Sequence, residues 1–288
     1  MTGQRDAIPP IAPIPPILLV GCGRMGSALL AGWEADGLQR SAIVDPDPAL
    51  PSPSASPSVA SRHDLVRDIA SLPAGFQPSA VVLAVKPQAA DAAMAALAER
   101  LGDRLGDAVI LSIMAGRTLS GLATALPRAS GLVRAMPNTP ASIGRGISVA
   151  VASPGTSAAQ HALCDRLLRA AGGVEWVEDE ALLDPVTAVS GSGPAYVFLL
   201  AELMEQAGRA QGLPPALARR LARETVTGAG ALLAASPDED AAALRIAVTS
   251  PGGTTQAALG VLMRQDAWPT SVADAIEAAT ERSRALAR

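Results

Sequence analysis

The sequence predicts an α/β protein: a doubly wound sheet followed by an all-α half that pairs with a second copy of itself. Three observations predict it. Short apolar runs alternate with helix-length segments from Ile17 to Val177. The first run ends in a glycine loop, Gly21-Cys22-Gly23-Arg24-Met25-Gly26, that opens a helix. Beyond Glu180 the strand-like runs stop and only helical patterns follow.

Taken in order, Ile17-Leu18-Leu19-Val20 is bounded by proline and glycine and reads as a buried parallel strand. Ser27 to Asp36 is a helix stopped at Gly37, and Ala42-Ile43-Val44 is the second strand. Pro46 to Ser61, crowded with Pro and Ser, reads as a mobile loop. A short helix is expected over 65–72, a strand over Ala80 to Val85, a helix over 89–105 and a strand over Val109 to Ile113. Further strands are Leu132 to Met136, Ile147 to Val151 and Val174 to Val177, with a helix over Ala158 to Ala171. Then Leu182 to Gly212 reads as one long helix kinked around Gly191 to Pro194. Helices over 216–235 and from about Ala241, Thr254 and Thr270 complete the chain. The run Tyr196 to Met204 is apolar nearly all round, so it needs cover on every side; an obligate homodimer supplies it.

Composition excludes several classes. Apolar residues are 49% and aromatics 2%, so the core is aliphatic. A net charge of −4 with no basic block argues against nucleic acid. No apolar run is expected to span a membrane, the longest being interrupted by Glu202. Cys22 and Cys164 have no metal spacing, no metal site is expected, and a reducing cytoplasm fits. His63 and His161 adjoin no motif and read as surface residues. The proline-rich head, 1–16, lacks a secretory layout and reads as a disordered extension.

Gly21, Gly23 and Gly26 have the G-x-G-x-x-G spacing of a Rossmann-type dinucleotide loop: tight turn, close pyrophosphate approach, close helix packing. Asp45 ends the second strand, nineteen residues after Gly26, where a carboxylate accepts from the adenosine ribose and repels a 2′-phosphate. With no Arg or Lys between Ser41 and Ser61, this leans towards NADH over NADPH; the competing reading is a turn-forming Asp before proline. Lys86, the chain's only lysine, ends a strand at the edge where such folds bind ligands, and serves either as a cofactor contact or as a solvated charge.

The second loop is Thr249-Ser250-Pro251-Gly252-Gly253-Thr254-Thr255, again opening a helix. Paired glycines and an exposed helix N-terminus suit a small carboxylate without a charged side chain. Helix capping alone would explain one hydroxyl but not the glycine pair.

Together with Val133-Arg134-Ala135-Met136-Pro137-Asn138-Thr139-Pro140 and Ser190-Gly191-Ser192-Gly193-Pro194-Ala195-Tyr196, these loops resemble the pyrroline-5-carboxylate reductases from about Ile17 to the C-terminus. The resemblance implies a Rossmann domain over 17–178 and a helical dimerisation and substrate domain over 179–288. It implies reduction of 1-pyrroline-5-carboxylate to L-proline with NADPH or NADH, by a homodimer that in some members builds a decamer. Gly21, Cys22, Gly23, Arg24, Met25, Gly26, Asp45, Val85, Lys86, Pro87 and Ala115 would then contact the cofactor. Asn138 and Thr139 would line the nicotinamide region, and Glu180, Gly252, Gly253, Thr254 and Thr255 the substrate. Ser190 and Ser192 fit either helix packing or substrate contact. Two departures stand out: Asp45 where many members carry Ser, and Leu244-Arg245-Ile246 where the family tends to a basic–acidic pair.

The Thr255 hydroxyl is assigned to the ring nitrogen, positioning the imine and relaying a proton rather than acting as an isolated acid. A 3-hydroxyacid dehydrogenase of similar layout needs a lysine in its second domain, and none follows Lys86. A non-catalytic dinucleotide sensor is the rival from another class.

Overall fold

The computed structural model describes residues 13–47 and 62–287. It contains two compact units, one holding residues up to Val186 with the C-terminal stretch from Ser283, the other Thr187–Arg282. The sequence boundary at 178/179 thus lies ahead of the structural one, which falls inside the first helical run after the sheet.

The first unit is built on eight strands: β1 (Ile17–Val20), β2 (Ala42–Val44), β3 (Asp64–Val66), β4 (Ala80–Leu83), β5 (Val109–Ser112), β6 (Gly131–Met136), β7 (Gly146–Ala152) and β8 (Gly172–Trp176). Their order is β3-β2-β1-β4-β5-β6-β7-β8. The chain runs outward from β1 to β3, then returns to lay β4 against the other side of β1. The strand order reverses there, and ligands of open α/β sheets bind in the crevice at such a reversal.

The four residues of β1 are all apolar because both faces are covered. Ile17 and Leu19 pack with Leu29, Leu30 and Trp33 of α1 (Arg24–Ala35) and with Leu167 and Leu168 of a helix over Ala158–Arg169. Leu18 and Val20 face the opposite layer, Met94, Leu97 and Leu101 of α2 (Ala90–Leu101). Trp33 is fully buried, and its indole N–H donates to the Leu167 carbonyl at 2.7 Å, so one polar atom is satisfied across the helix pair.

Several expectations are corrected. The sheet is not wholly parallel: β7 runs antiparallel to β6. Only a 3-10 turn, Thr139–Ile143, separates them, too short for a parallel crossover. Residues 65–72 are not one helix but the edge strand β3, paired to β2 with Ile43 opposite Leu65, and a 3-10 turn over Ile69–Ser71 capped by Asp68. A short helix, α3 (Leu119–Ala125), was not anticipated; Thr118 caps it by accepting the Gly121 N–H at 3.1 Å. The helix Ala158–Arg169, α4, starts in a reciprocal Ser157–Gln160 capping box. The extension does not reach Pro16: Ile14 is fully buried and bridges in parallel to Leu38. Residues 1–12, and 48–61 of the expected mobile loop, lie outside the described residues. His63 is buried, accepting the Ser41 N–H at 3.1 Å and meeting the Glu34 carboxylate, while His161 stacks on Trp176 at 3.7 Å.

The helical run after the sheet starts with α5 (Leu183–Val186), widens into a π-turn over Thr187–Gly191, and resumes as α6 (Gly193–Ala210). Two local features mark this change of helix type. The Ser192 N–H reaches back to the Thr187 carbonyl at 2.8 Å, and Pro194 starts α6. The second unit continues with α7 (Pro215–Ala235), α8 (Ala241–Ala247), α9 (Thr254–Leu262) and α10 (Trp268–Leu286), whose last turn returns to the first unit. By length and composition the run Glu180–Ala210 would suffice to cross a membrane, contrary to expectation. In α6, Val197, Phe198, Leu199 and Leu203 are exposed on the single chain.

Candidate active site

The glycine loop separates into three physical roles. Gly21 has φ +94°, and a Cβ on it would stand 2.7 Å from the Ala84 carbonyl oxygen, so β1 turns tightly past β4 only with glycine here. A Cβ on Gly26 would run into the Gly21 carbonyl. At Gly23 a Cβ would meet nothing within 4 Å. The protein therefore supplies no packing reason for that glycine, and its bare surface leaves room for another molecule's atoms. Gly23 is the N-cap of α1 and no side chain caps it. No hydrogen bond engages the N–H groups of Arg24, Met25 or Gly26 among the described residues, as a helix N-terminus presents to an anion. A cavity of about 350 Å³ adjoins this turn, lined by Arg24, Met25, Ala28, Ala31, Thr139 and Ser142. These features fit a dinucleotide pyrophosphate.

Asp45 closes the loop from β2. Its Oδ2 accepts the Cys22 N–H at 2.6 Å and its Oδ1 the Asp47 N–H at 3.0 Å. Burial first, and the Asp45 charge second, push the Cys22 thiol up to about 11, so it stays neutral and serves as packing. Burial likewise pushes Cys164 up to about 12.

Val85 and Lys86 follow β4 at the same sheet edge, Val85 half-buried and Lys86 exposed with no ion pair among the described residues; Pro87 opens a 3-10 turn. Ala115 is exposed just past β5. Asn138, after β6, is nearly buried, and its Oδ1 accepts the Ile147 N–H at 3.0 Å, pinning the start of β7. Thus the ends of β1, β2, β4, β5 and β6 bring the expected cofactor residues of this unit to one edge of the sheet.

Glu180 has a role that spacing did not reveal. Its Oε1 accepts both the Leu119 N–H at the start of α3 and Arg134 Nη1, each at 2.8 Å. Arg134 is buried, so this carboxylate supplies its counter-charge and caps a helix at once. The sequence marked Glu180 and Arg134 separately but gave no sign that they pair.

In the second unit, Gly252 has φ +71° and Gly253 is the N-cap of α9, again without a side-chain cap. Two loop amides are already committed: the Gly252 N–H donates to Gln256 Oε1 at 2.6 Å, and the Gly253 N–H to the Ser250 carbonyl at 3.0 Å. Within the chain itself, then, the Gly252 and Gly253 amides have partners of their own. No hydrogen bond engages the Thr254 and Thr255 amides, or the half-buried Thr255 hydroxyl, among the described residues. Neither threonine caps the helix, since both lie within its first turn. Gln256 was missed; its position four residues beyond Gly252 is the only signal. Tyr196 anchors the π-turn, donating to the Ala188 carbonyl at 3.1 Å. Among the described residues no three His, Cys, Asp or Glu side chains gather to hold a metal.

A Rossmann sheet with a bare glycine at its phosphate turn, joined to a helical unit with a second amide loop, defines a nicotinamide-dependent oxidoreductase. Comparison with known proteins narrows the class. A family model described as pyrroline-5-carboxylate reductase dimerisation matches residues 180–286. The pyrroline-5-carboxylate reductase of Pseudomonas aeruginosa is 40% identical over 95% of this chain and 97% of its own. That of Haemophilus influenzae is 33% identical over 94% and 97%. Among solved structures, a pyrroline-5-carboxylate reductase from Coxiella burnetii is 31% identical with a TM-score of 0.82, covering 94% of this chain and 98% of that one. A Plasmodium falciparum pyrroline carboxylate reductase with NADP bound is 26% identical with a TM-score of 0.77, covering 95% and 98%. The chain belongs to the pyrroline-5-carboxylate reductase family.

Proposed function

We propose that this chain reduces 1-pyrroline-5-carboxylate to L-proline with NAD(P)H, as a cytoplasmic homodimer. The observation that carries the reading is the start of α9, where no hydrogen bond among the described residues engages the Thr254 and Thr255 amides or the Thr255 hydroxyl. A small carboxylate fits the two amides and the helix dipole behind them. The Thr255 hydroxyl then donates to the imine nitrogen and relays a proton to it from water. Holding the imine in one orientation removes much of the entropic barrier. The bound nicotinamide supplies the hydride. Gly21, Gly23 and Gly26 with the first turn of α1 hold the pyrophosphate, and Asp45 favours NADH. Val85, Lys86, Pro87 and Ala115 line the crevice at the strand ends, with Asn138 fixing its far wall.

Self-association is supported by the dimerisation family match over 180–286 and by the exposed apolar residues of α6. The run Glu180–Ala210 is read as that interface rather than as a membrane span, and a decamer as the next level of assembly. Two free, buried cysteines are consistent with a reducing compartment. The test is loss of NADH absorbance with pyrroline-5-carboxylate present or absent, run beside NADPH. A chain that binds NADH but consumes none with substrate present is a sensor, and the enzymatic reading fails.

A further inference from the structure

One side chain ties the loop after β5 to the loop after β4. Arg117 Nη1 donates to Asp91 Oδ1 at 2.6 Å, and Nη2 donates to Asp91 Oδ2 at 3.0 Å and to the Pro87 carbonyl at 3.2 Å. The Arg117 side chain is only 14% exposed although Asp91 is 76% exposed, so the guanidinium is inserted between the loops rather than waving in solvent. Pro87 directly follows Lys86, and Arg117 follows Ala115-Gly116. The same loop is pressed from another side. Gly116 has φ +73°, and a Cβ on it would stand 2.6 Å from the Leu286 carbonyl oxygen at the end of α10. That last turn is itself tied down by Ser283, whose hydroxyl donates to Asp184 at 2.6 Å.

We infer that Arg117 is a positioning residue for the dinucleotide: its fork clamps together the two strand-end loops, Val85–Pro87 and Ala115–Gly116, that bound the cofactor crevice. The inference rests on the cofactor reading proposed above. Val85 and Lys86 precede a single 3-10 turn that starts at Pro87, and Ala115 and Gly116 lie in neither helix nor strand. A planar guanidinium suits the task because it reaches a carboxylate bidentately and a carbonyl with the same nitrogen; a lysine ammonium is a single point. Without the fork the loops sample other separations, and apparent cofactor affinity falls by the fraction of time they spend apart.

The test is NADH titration by fluorescence with the full chain and with Arg117→Met, Arg117→Lys and Asp91→Ala, beside thermal melts and steady-state kinetics. Arg117→Met is expected to weaken NADH binding about tenfold, with Arg117→Lys and Asp91→Ala in between. The KM for NADH rises while kcat at saturating NADH stays within about twofold of wild type, because the clamp acts on loop population and not on the reacting atoms. A purely structural Arg117 would lower the melting temperature without that split between KM and kcat. Arg117→Met binding NADH like wild type overturns the clamp. If Arg117→Met does not fold, Asp91→Ala decides, since it removes the exposed carboxylate that the Arg117 fork grips: an unchanged KM for NADH overturns the clamp. A wild-type chain that binds no nicotinamide cofactor overturns the functional reading and the clamp with it. One that turns over substrate while Arg117→Met binds equally well overturns the clamp alone.

Discussion

The three loop glycines make a prediction in which stability and binding separate. Gly26→Ala drives a methyl group into the Gly21 carbonyl, and neither is a flexible side chain that could move aside. Overpacking of this kind costs about 1–3 kcal/mol. For a chain of this size that is a fall of roughly 2–10 °C in melting temperature. Gly23→Ala is different. Gly23 has φ −66° and ψ −161°, a conformation open to any residue, and its Cβ would meet only empty space. Alanine there loses about 0.5 kcal/mol as an N-cap and regains a similar amount from the stiffer unfolded chain. The melting temperature should therefore stay within about 2 °C of wild type. Yet the methyl group occupies the approach of a phosphate to the Arg24, Met25 and Gly26 amides. Losing one charge-assisted hydrogen bond costs about 1.5–3 kcal/mol, which is about ten- to a hundredfold in the Kd for NADH. Melts and fluorescence titration on the two variants check both halves. Gly23→Ala with wild-type NADH affinity would refute the cradle, whatever Gly26→Ala does.

Other expectations follow from the same geometry. Thr255→Ala should lower kcat/KM by about ten- to a hundredfold, the cost of one hydrogen bond at the transition state, with the Kd for NADH unchanged; steady-state kinetics that show wild-type turnover remove Thr255 from the mechanism. Asp45→Ser should raise use of NADPH relative to NADH by about tenfold or more, since a carboxylate beside a phosphate is repelled even in a partly wet site; an unmoved ratio in paired assays leaves Asp45 as a loop staple only. Phe198→Asp should split the dimer. Burying one phenylalanine is worth about 1.5–3 kcal/mol, and a two-fold interface loses it twice, so the dimer Kd rises by about two to four decades. Light scattering across a dilution series reads this, and an unchanged mass at low concentration places Phe198 outside the interface.

Much of the fold was legible in residue pattern, and the failures have physical causes. β1, β4 and β5 are short apolar runs buried on both faces, so burial alone identifies them. β3 was read as helix because Leu65 and Val66 carry no alternation; pairing to β2 decides their state. α3 was hidden because its seven residues include a glycine. β7's direction follows from the length of the turn before it, which residue pattern does not report. The glycines at Gly21 and Gly26 were legible because a positive φ at the first and close backbone approach at both leave a residue-type signature. Glu180 with Arg134 was not, since a long-range ion pair leaves none, and the same holds for Arg117 with Pro87.

Asp45 poses a question that the geometry answers. A carboxylate beside a pyrophosphate loop places negative charge next to an anion, which by itself disfavours binding. Here each of its oxygens already accepts a backbone N–H, from Cys22 and from Asp47. Those bonds satisfy part of its charge and engage the Cys22 amide, so in the proposed site the pyrophosphate falls to the first turn of α1. Ionised carboxylate oxygens have about four acceptor directions between them, so two remain for ribose hydroxyls. Stapling the loop and accepting a ribose are therefore compatible, and a 2′-phosphate, which brings no donor to those directions, meets the charge instead. Glu180 repeats the logic by accepting a helix-start amide and a buried guanidinium with one oxygen. In both places an acidic side chain accepts a backbone N–H and so holds main chain in place.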